Sequence, residues 1–249
     1  MCIAAWKSFS CAKATGAMSG LIDGFVPQFA QQIRDASQLP LDPVTQLMTQ
    51  QVLQDKAFID DVFAQRYPAF YKDLQTGYAQ TSRLGDALAA QIAQKYPDKF
   101  PGDPAAPAVD MRVTLNLLLQ EHSYLATMAT DAVAAGRSAE NGAAASALAA
   151  NADMLGTALT AEFAAVWKAR SKALVAYASG DAAAGRGLAE SFPGVFASLA
   201  HVSQALVASQ ISATIKVIDE QRAKSSKTLA ADDRAAATAM QPMADSIQR

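Results

Sequence analysis

The chain has 249 residues, enough for one large or two small domains, and 51% of them are hydrophobic although only 7% are aromatic. Alanine supplies much of the apolar content and has the highest helix propensity, so the composition predicts an all-α protein. The formal net charge of -2, without a lysine and arginine cluster, excludes the usual nucleic-acid-binding surface. No apolar run reaches the roughly 20 residues that a transmembrane helix needs.

Residues 1–20 are predicted to form a disordered leader. Polar side chains interrupt its apolar stretches, so it lacks the continuous core of a signal peptide. Cys2 and Cys11 lie in this leader, and their spacing indicates neither a metal site nor a disulfide. A native leader, an expression remnant and a misplaced start codon are alternatives that stay open.

Residues 21–96 are predicted to form an N-terminal helical subdomain. Its first helix starts near Leu21, the second at Asp42 and Pro43, and the third at Pro68. The predicted buried face of the second helix consists of Val44, Met48, Val52, Ile59 and Phe63.

Residues 97–109 form a proline-rich hinge in this prediction. Four prolines and Gly102 leave no room for a helix, which favours an extended and fairly stiff connection. The hinge is therefore the predicted boundary between the N-terminal subdomain and a C-terminal bundle of residues 110–249.

Three successive amphipathic helices are predicted between Met111 and Tyr177. Each carries one polar residue on an otherwise apolar face, His122 on the first, Asn151 on the second and Arg170 on the third. Neighbouring helices of an antiparallel bundle would bring these three side chains into one layer. Possible acceptors for the Arg170 guanidinium are Glu121, Glu162 and Tyr177.

Two interpretations of this layer stay open. The five candidate ligand-binding residues, Glu121, His122, Asn151, Arg170 and Tyr177, could line a small pocket for a polar or anionic ligand. They could instead form a buried hydrogen-bond network that fixes the register of the helices, which is the more common role of such layers in helical bundles.

The remaining chain is predicted to form two long helices. One runs from Val195 to Ile218 with a bend near Leu206, and the last covers roughly Thr228 to Gln248. The sequence thus predicts about eight helices in antiparallel bundles.

Metal and catalytic motifs are sparse. The chain has neither Glu-x-x-His nor Cys-x-x-Cys, which leaves a copper or haem site of His122 with Met128 and Met154 as the alternative. The sequence has no nucleophile elbow and no phosphate loop. An enzyme centred on His122 and Arg170 is therefore only the third hypothesis. Adjacent carboxylates such as Asp60 and Asp61 are predicted to be solvated.

A family resemblance adds to this interpretation. The segment Leu-Leu-Gln-Glu-His-Ser-Tyr-Leu-Ala at 118–126, followed by Asn151, Phe163 and Trp167, resembles a loosely defined family of bacterial Ala-rich helical-repeat proteins. Their pattern is Leu-Leu-x-Glu-His-x-x-Leu, then Asn, then Phe and Trp followed by histidine. Arg170 stands where that histidine is expected, and a short Tyr-Gly loop before Phe163 is absent.

The family's members are mostly uncharacterised and often exported, so the resemblance implies an extracytoplasmic location. Taken together, the sequence predicts a non-enzymatic helical-bundle protein that binds a partner protein or a small polar or anionic ligand. It identifies neither that ligand nor the biological process.

Overall fold

The computed structural model describes residues 11–247, and within that range the chain contains helices and no strand. The all-α prediction is confirmed. The chain divides into two compact units, Met1–Asp110 and Met111–Arg249, and the division falls close to the predicted hinge. No helix in the described range is long and apolar enough to cross a membrane.

The first unit consists of four helices and a π-helical turn. These are α1 (Cys11–Ser19), the π-helical turn (Gly20–Phe25), α2 (Val26–Ser37), α3 (Leu41–Phe63) and α4 (Tyr67–Lys95). Part of the predicted disordered leader is thus helical, whereas Cys2 lies outside the described residues. Side-chain hydrogen bonds join α3 and α4 in antiparallel register, since Gln80 Nε2 of α4 donates to the Leu47 carbonyl and Gln54 Nε2 of α3 donates to the Asp73 carbonyl.

The outer half of α3 differs from the prediction. Val44 and Val52 are buried as expected, but Ile59 is 47% exposed. Asp61, predicted to be solvated, is instead 5% exposed and accepts a hydrogen bond of 2.8 Å from Arg66 Nε. Asp61 is therefore buried while its partner Arg66 stays largely exposed, and residue spacing alone does not reveal this ion pair.

The predicted stiff hinge is a series of turns. The backbone N–H groups of Lys99 and Phe100 both donate to the Tyr96 carbonyl, and Asp103 Oδ1 accepts from the Ala105 N–H. The next helix already begins at Pro107, because proline is well suited to a first helical position.

The second unit contains the remaining elements, apart from the first four residues of α5. They are α5 (Pro107–Ala134), α6 (Ser138–Ala158), α7 (Ala161–Ala178), α8 (Ala182–Arg186), a second π-helical turn (Gly187–Ser191), α9 (Phe192–Ala200), α10 (Gln204–Arg222), α11 (Leu229–Thr238) and α12 (Met240–Ser246). Both long helices predicted here are split. His201 adopts a left-handed conformation with φ of 54° and separates α9 from α10, so the break precedes Leu206. Pro242 lacks the N–H that would continue α11 into α12.

Each π-helical turn has the same cause. Both lie directly before a helix whose second residue is proline, Pro27 in α2 and Pro193 in α9. Because proline cannot donate to the carbonyl four residues earlier, the chain closes a wider turn, with Phe192 N–H bonded to the Gly187 carbonyl.

The close approach of α6 and α7 depends on Gly156. A Cβ added there would lie 2.6 Å from Ala164 Cβ, so we expect Gly156→Ala to lower the free energy of unfolding by about 1–3 kcal/mol. Gly142 on the same helix has open space around it, and Gly142→Ala should stabilise by about 0.5–1 kcal/mol. Urea unfolding of both variants checks this, and equal effects would contradict the close packing.

Candidate functional site

The buried faces of α5, α6 and α7 meet as the sequence predicts. On α5 the buried positions include Leu115, Leu118, His122, Leu125 and Ala129, which recur at steps of three and four residues. Each of the three predicted polar residues lies on such a face. His122 and Asn151 are 0% exposed and Arg170 is 1% exposed.

A first network joins α5, α6 and α7 around Asn151. Its Oδ1 lies 2.9 Å from His122 Nδ1, and its Nδ2 donates to Glu121 Oε2 at 2.9 Å and to the Leu118 carbonyl at 3.0 Å. On the other side of the ring, Ser171 Oγ lies 3.1 Å from His122 Nε2. One amide thus connects two helices, and one imidazole extends the connection to a third.

The partners of Asn151 fix the tautomer of His122. Both contacts of the Asn151 Nδ2 group are acceptors, so its oxygen faces the ring and His122 Nδ1 carries the proton. His122 Nε2 is then the acceptor, and the Ser171 hydroxyl can donate to it or to the Trp167 carbonyl at 3.0 Å.

Burial keeps His122 neutral. Desolvation lowers its pKa well below 6.5 and the nearby Arg170 charge lowers it further, whereas the bond to Asn151 raises it. The unfolded chain therefore binds a proton that the folded chain does not, which makes this stability contribution complete above pH 6.5 and lost as the pH falls below it.

The neutral imidazole yields a pH prediction. Between pH 7 and pH 5.5 we expect the free energy of unfolding to fall by up to about 1.4 kcal/mol per pH unit. Urea unfolding of wild type and His122→Gln across this range measures the difference, because the variant lacks the titrating group. Identical slopes for the two proteins would show that His122 is not held neutral.

The hydrogen-bonded series Ser171, His122 and Asn151 has the order of a nucleophile, a base and an orienting group. It lacks the oxyanion-stabilising donors of an acyl-transfer site. Ser171 lies in the middle of α7, where the surrounding backbone N–H groups are used within the helix. No pair of free N–H groups in the described part of this helix can therefore stabilise an oxyanion. The geometry indicates a structural network.

Arg170 belongs to a second, separate set of contacts. Its Nη2 donates to Gln210 Oε1 on α10 at 2.9 Å, and Gln210 Nε2 donates to Thr214 Oγ1 at 2.9 Å. The Arg170 Cζ atom lies 4.9 Å from the Trp167 ring centroid and 6.0 Å from that of Phe192. The guanidinium is thus held against two aromatic rings rather than against a carboxylate.

Several donors around Arg170 have no acceptor among the described residues. They are Arg170 Nε, Arg170 Nη1 and the neighbouring Trp167 Nε1, all fully inaccessible to solvent. Arg170 also forms no ion pair within residues 11–247. Burial without a counter-charge lowers the pKa of Arg170 to about 9.

The other predicted acceptors for Arg170 lie elsewhere. Tyr177 is half-buried and its hydroxyl donates to Asp219 Oδ1 at 2.6 Å, and Glu162 is exposed in the first turn of α7. Tyr177 is therefore not part of the buried layer. Glu121 enters the layer through Asn151 rather than through Arg170.

The surroundings of His122 are unfavourable for the alternative copper or haem site. Both ring nitrogens of His122 are engaged in hydrogen bonds, so neither offers a lone pair to a metal. Met154 is 41% exposed, and Met128 lies six residues after His122 on α5, on a different face of that helix. No group of three or more histidine, cysteine, aspartate or glutamate side chains that could hold a metal is found in the described range.

Sequence inspection missed Ser171 and Gln210. Ser171 is four residues after Trp167 and Gln210 three after Val207, so both occupy the buried stripes of their helices. Their spacing could have identified them as buried. Single polar residues next to an apolar stripe are common, however, and most of them lie at the edge of the buried face.

In comparisons with known proteins, no protein-family model, no curated protein and no solved structure matches this chain.

Proposed function

We propose that this chain is a non-enzymatic binding protein whose C-terminal unit accepts a small polar or anionic ligand at Arg170. The observation that carries this proposal is the set of donors around the guanidinium. Arg170 is 1% exposed, yet its Nε and Nη1 have no acceptor among the described side chains. Buried charges are ordinarily paired, and a bound ligand would supply the missing acceptors.

The two halves of the buried layer have different roles in this proposal. The contacts of His122 hold α5, α6 and α7 together, and both of its nitrogens already have partners. The contacts of Arg170 leave its charge uncompensated, and two of its nitrogens have no acceptor among the described residues. The first half therefore fixes helix register, and the second presents hydrogen-bond donors to a ligand.

Thermal unfolding of the full chain tests the proposal with small probes at constant ionic strength. The panel contains acetamide, benzamide, acetate, benzoate and phosphate, with sodium chloride as the salt control. A ligand at 100 times its Kd stabilises by about 2.7 kcal/mol, so binding raises the unfolding midpoint with a saturable concentration dependence. If no probe raises the midpoint more than sodium chloride does, the proposal fails and the entire layer is structural.

A further inference from the structure

We infer that the ligand of the C-terminal unit is a small organic monocarboxylate, bound in bidentate fashion to the guanidinium of Arg170 beside Trp167 and Phe192. This inference rests on the proposed function and specifies its ligand class. Four observations support it: the edge of the guanidinium that has no acceptor, the donor character of the unpaired atoms, the charge of the layer and its aromatic walls.

The hydrogen bond to Gln210 leaves one edge of the guanidinium without an acceptor. The two N–H groups on Nη2 belong to different edges, one shared with Nε and the other with Nη1. Gln210 Oε1 accepts from Nη2 alone, and neither Nε nor Nη1 has an acceptor in the described part of the chain. Whichever Nη2 hydrogen Gln210 takes, the opposite edge keeps two parallel N–H groups. This geometry matches the two oxygens of a carboxylate.

The unpaired atoms of α7 all require an acceptor. Arg170 Nε and Nη1 are donors, and the neighbouring Trp167 Nε1 is a donor as well. A ligand that fits these atoms must therefore present oxygens with lone pairs. A carboxylate does this with every polar atom it has, whereas an amide presents an N–H group of its own.

The charge of the layer favours a monoanion over a dianion. Arg170 is the one cation among the three polar residues His122, Asn151 and Arg170, because His122 is neutral. A monocarboxylate neutralises the guanidinium. A phosphate dianion would leave one negative charge uncompensated, which is unfavourable in a low-dielectric interior.

The aromatic rings indicate an apolar body on the ligand. The Arg170 guanidinium lies against Trp167 at 4.9 Å and Phe192 at 6.0 Å, and the Trp167 ring lies 4.9 Å from that of Phe196. Trp167 and Phe196 are fully buried, but Phe192 is half-buried at the junction of the second π-helical turn and α9. Phe192 thus forms the solvent side of the site, and the ligand enters past its ring.

Titration of the full chain with benzoate and with its neutral isostere benzamide tests the ligand class. We expect benzoate to raise the unfolding midpoint of wild type and benzamide to leave it unchanged. The Arg170→Met variant should lose the response to benzoate. Arg170→Lys should bind benzoate at least tenfold more weakly, because an ammonium group lacks the two parallel N–H donors of a guanidinium. Arg137→Met, on a paired arginine at the surface of the same unit, should respond like wild type.

The Phe192→Ala variant tests the entry side independently of Arg170. Removal of the ring should keep benzoate binding and raise its association rate several-fold in stopped-flow tryptophan fluorescence. An unchanged or lower rate would overturn entry past Phe192. Circular dichroism confirms that each variant is folded, and wild-type titrations decide the ligand class even if one is not.

The remaining outcomes separate the two proposals. If benzamide or acetamide binds and carboxylates do not, the monocarboxylate inference fails while a polar-ligand function stands. If phosphate binds in place of benzoate and acetate, the charge argument is wrong. If Arg170→Met and Arg170→Lys both bind benzoate as wild type does, the ligand lies elsewhere and both proposals fail.

Discussion

Replacement of Asn151 by alanine is expected to lower the free energy of unfolding by about 3–5 kcal/mol, the largest loss for any single polar side chain of the buried layer. The substitution removes the partner of His122 Nδ1 and the amide donor to Glu121 and to the Leu118 carbonyl. Each of these buried groups loses a hydrogen bond, at about 1–3 kcal/mol for each group left unsatisfied. Urea unfolding monitored by circular dichroism measures the effect.

Asn141 provides the matched control because it lies on the same helix. Its side-chain oxygen has no partner within the described residues, so Asn141→Ala should change stability by no more than about 0.5 kcal/mol. Similar effects of the two substitutions would mean that the Asn151 network does not hold α5 to α6.

Replacement of Arg170 by methionine should have the opposite sign. Burial lowers the pKa of Arg170 to about 9, a shift that corresponds to about 5 kcal/mol of unfavourable charge burial. The variant also loses the bond to Gln210, worth about 1.5–3 kcal/mol, and the contact with the Trp167 ring, worth about 0.5–2 kcal/mol. We expect a net stabilisation of about 1–2 kcal/mol in ligand-free protein, which thermal unfolding measures as a rise of a few degrees.

Arg137 is the control for the change from arginine to methionine. It pairs with Asp131 at 2.6 Å and Glu140 at 2.7 Å near the surface of the same unit. Arg137→Met should therefore destabilise slightly, by up to about 1 kcal/mol. A loss of stability in Arg170→Met larger than in Arg137→Met would indicate that Arg170 fixes helix register and has no need of a ligand.

These opposite signs separate a structural residue from a functional one. A buried group that holds the fold together stabilises it, whereas a group kept for binding often costs stability until its ligand is present. Asn151 meets the first description because its amide is fully partnered. Under the proposed function Arg170 meets the second, because its charge lies in the interior without a carboxylate partner among the described residues.

The buried faces of the helices could be predicted because they depend on residues that are close together in the sequence. Apolar residues three and four positions apart lie on one side of a helix, which correctly identifies the buried faces that carry His122, Asn151 and Arg170. The turn at Gly136 and the break after Ala178 follow from glycine and capping residues in the same way. Local chemistry is thus sufficient for the elements of the bundle.

The partners of the polar residues could not be predicted because they depend on the direction of each side chain. Arg170 and Ser171 are neighbours on α7 but point about 100° apart, so only Ser171 reaches His122. Arg170 points instead to Gln210 on α10, a helix whose position no local pattern specifies. The break at His201 was missed for a related reason, since neither glycine nor proline marks it.

The side-chain N–H signal of Arg170 tests the central claim most directly. In a proton–nitrogen correlation spectrum of the arginine Nε–H region, the resonance absent from Arg170→Met identifies this group. We predict that it shifts progressively as benzoate is added and that the other arginine resonances stay in place. If the Arg170 resonance remains fixed at a benzoate concentration that raises the unfolding midpoint, the ligand does not bind to this guanidinium and the proposed site is wrong.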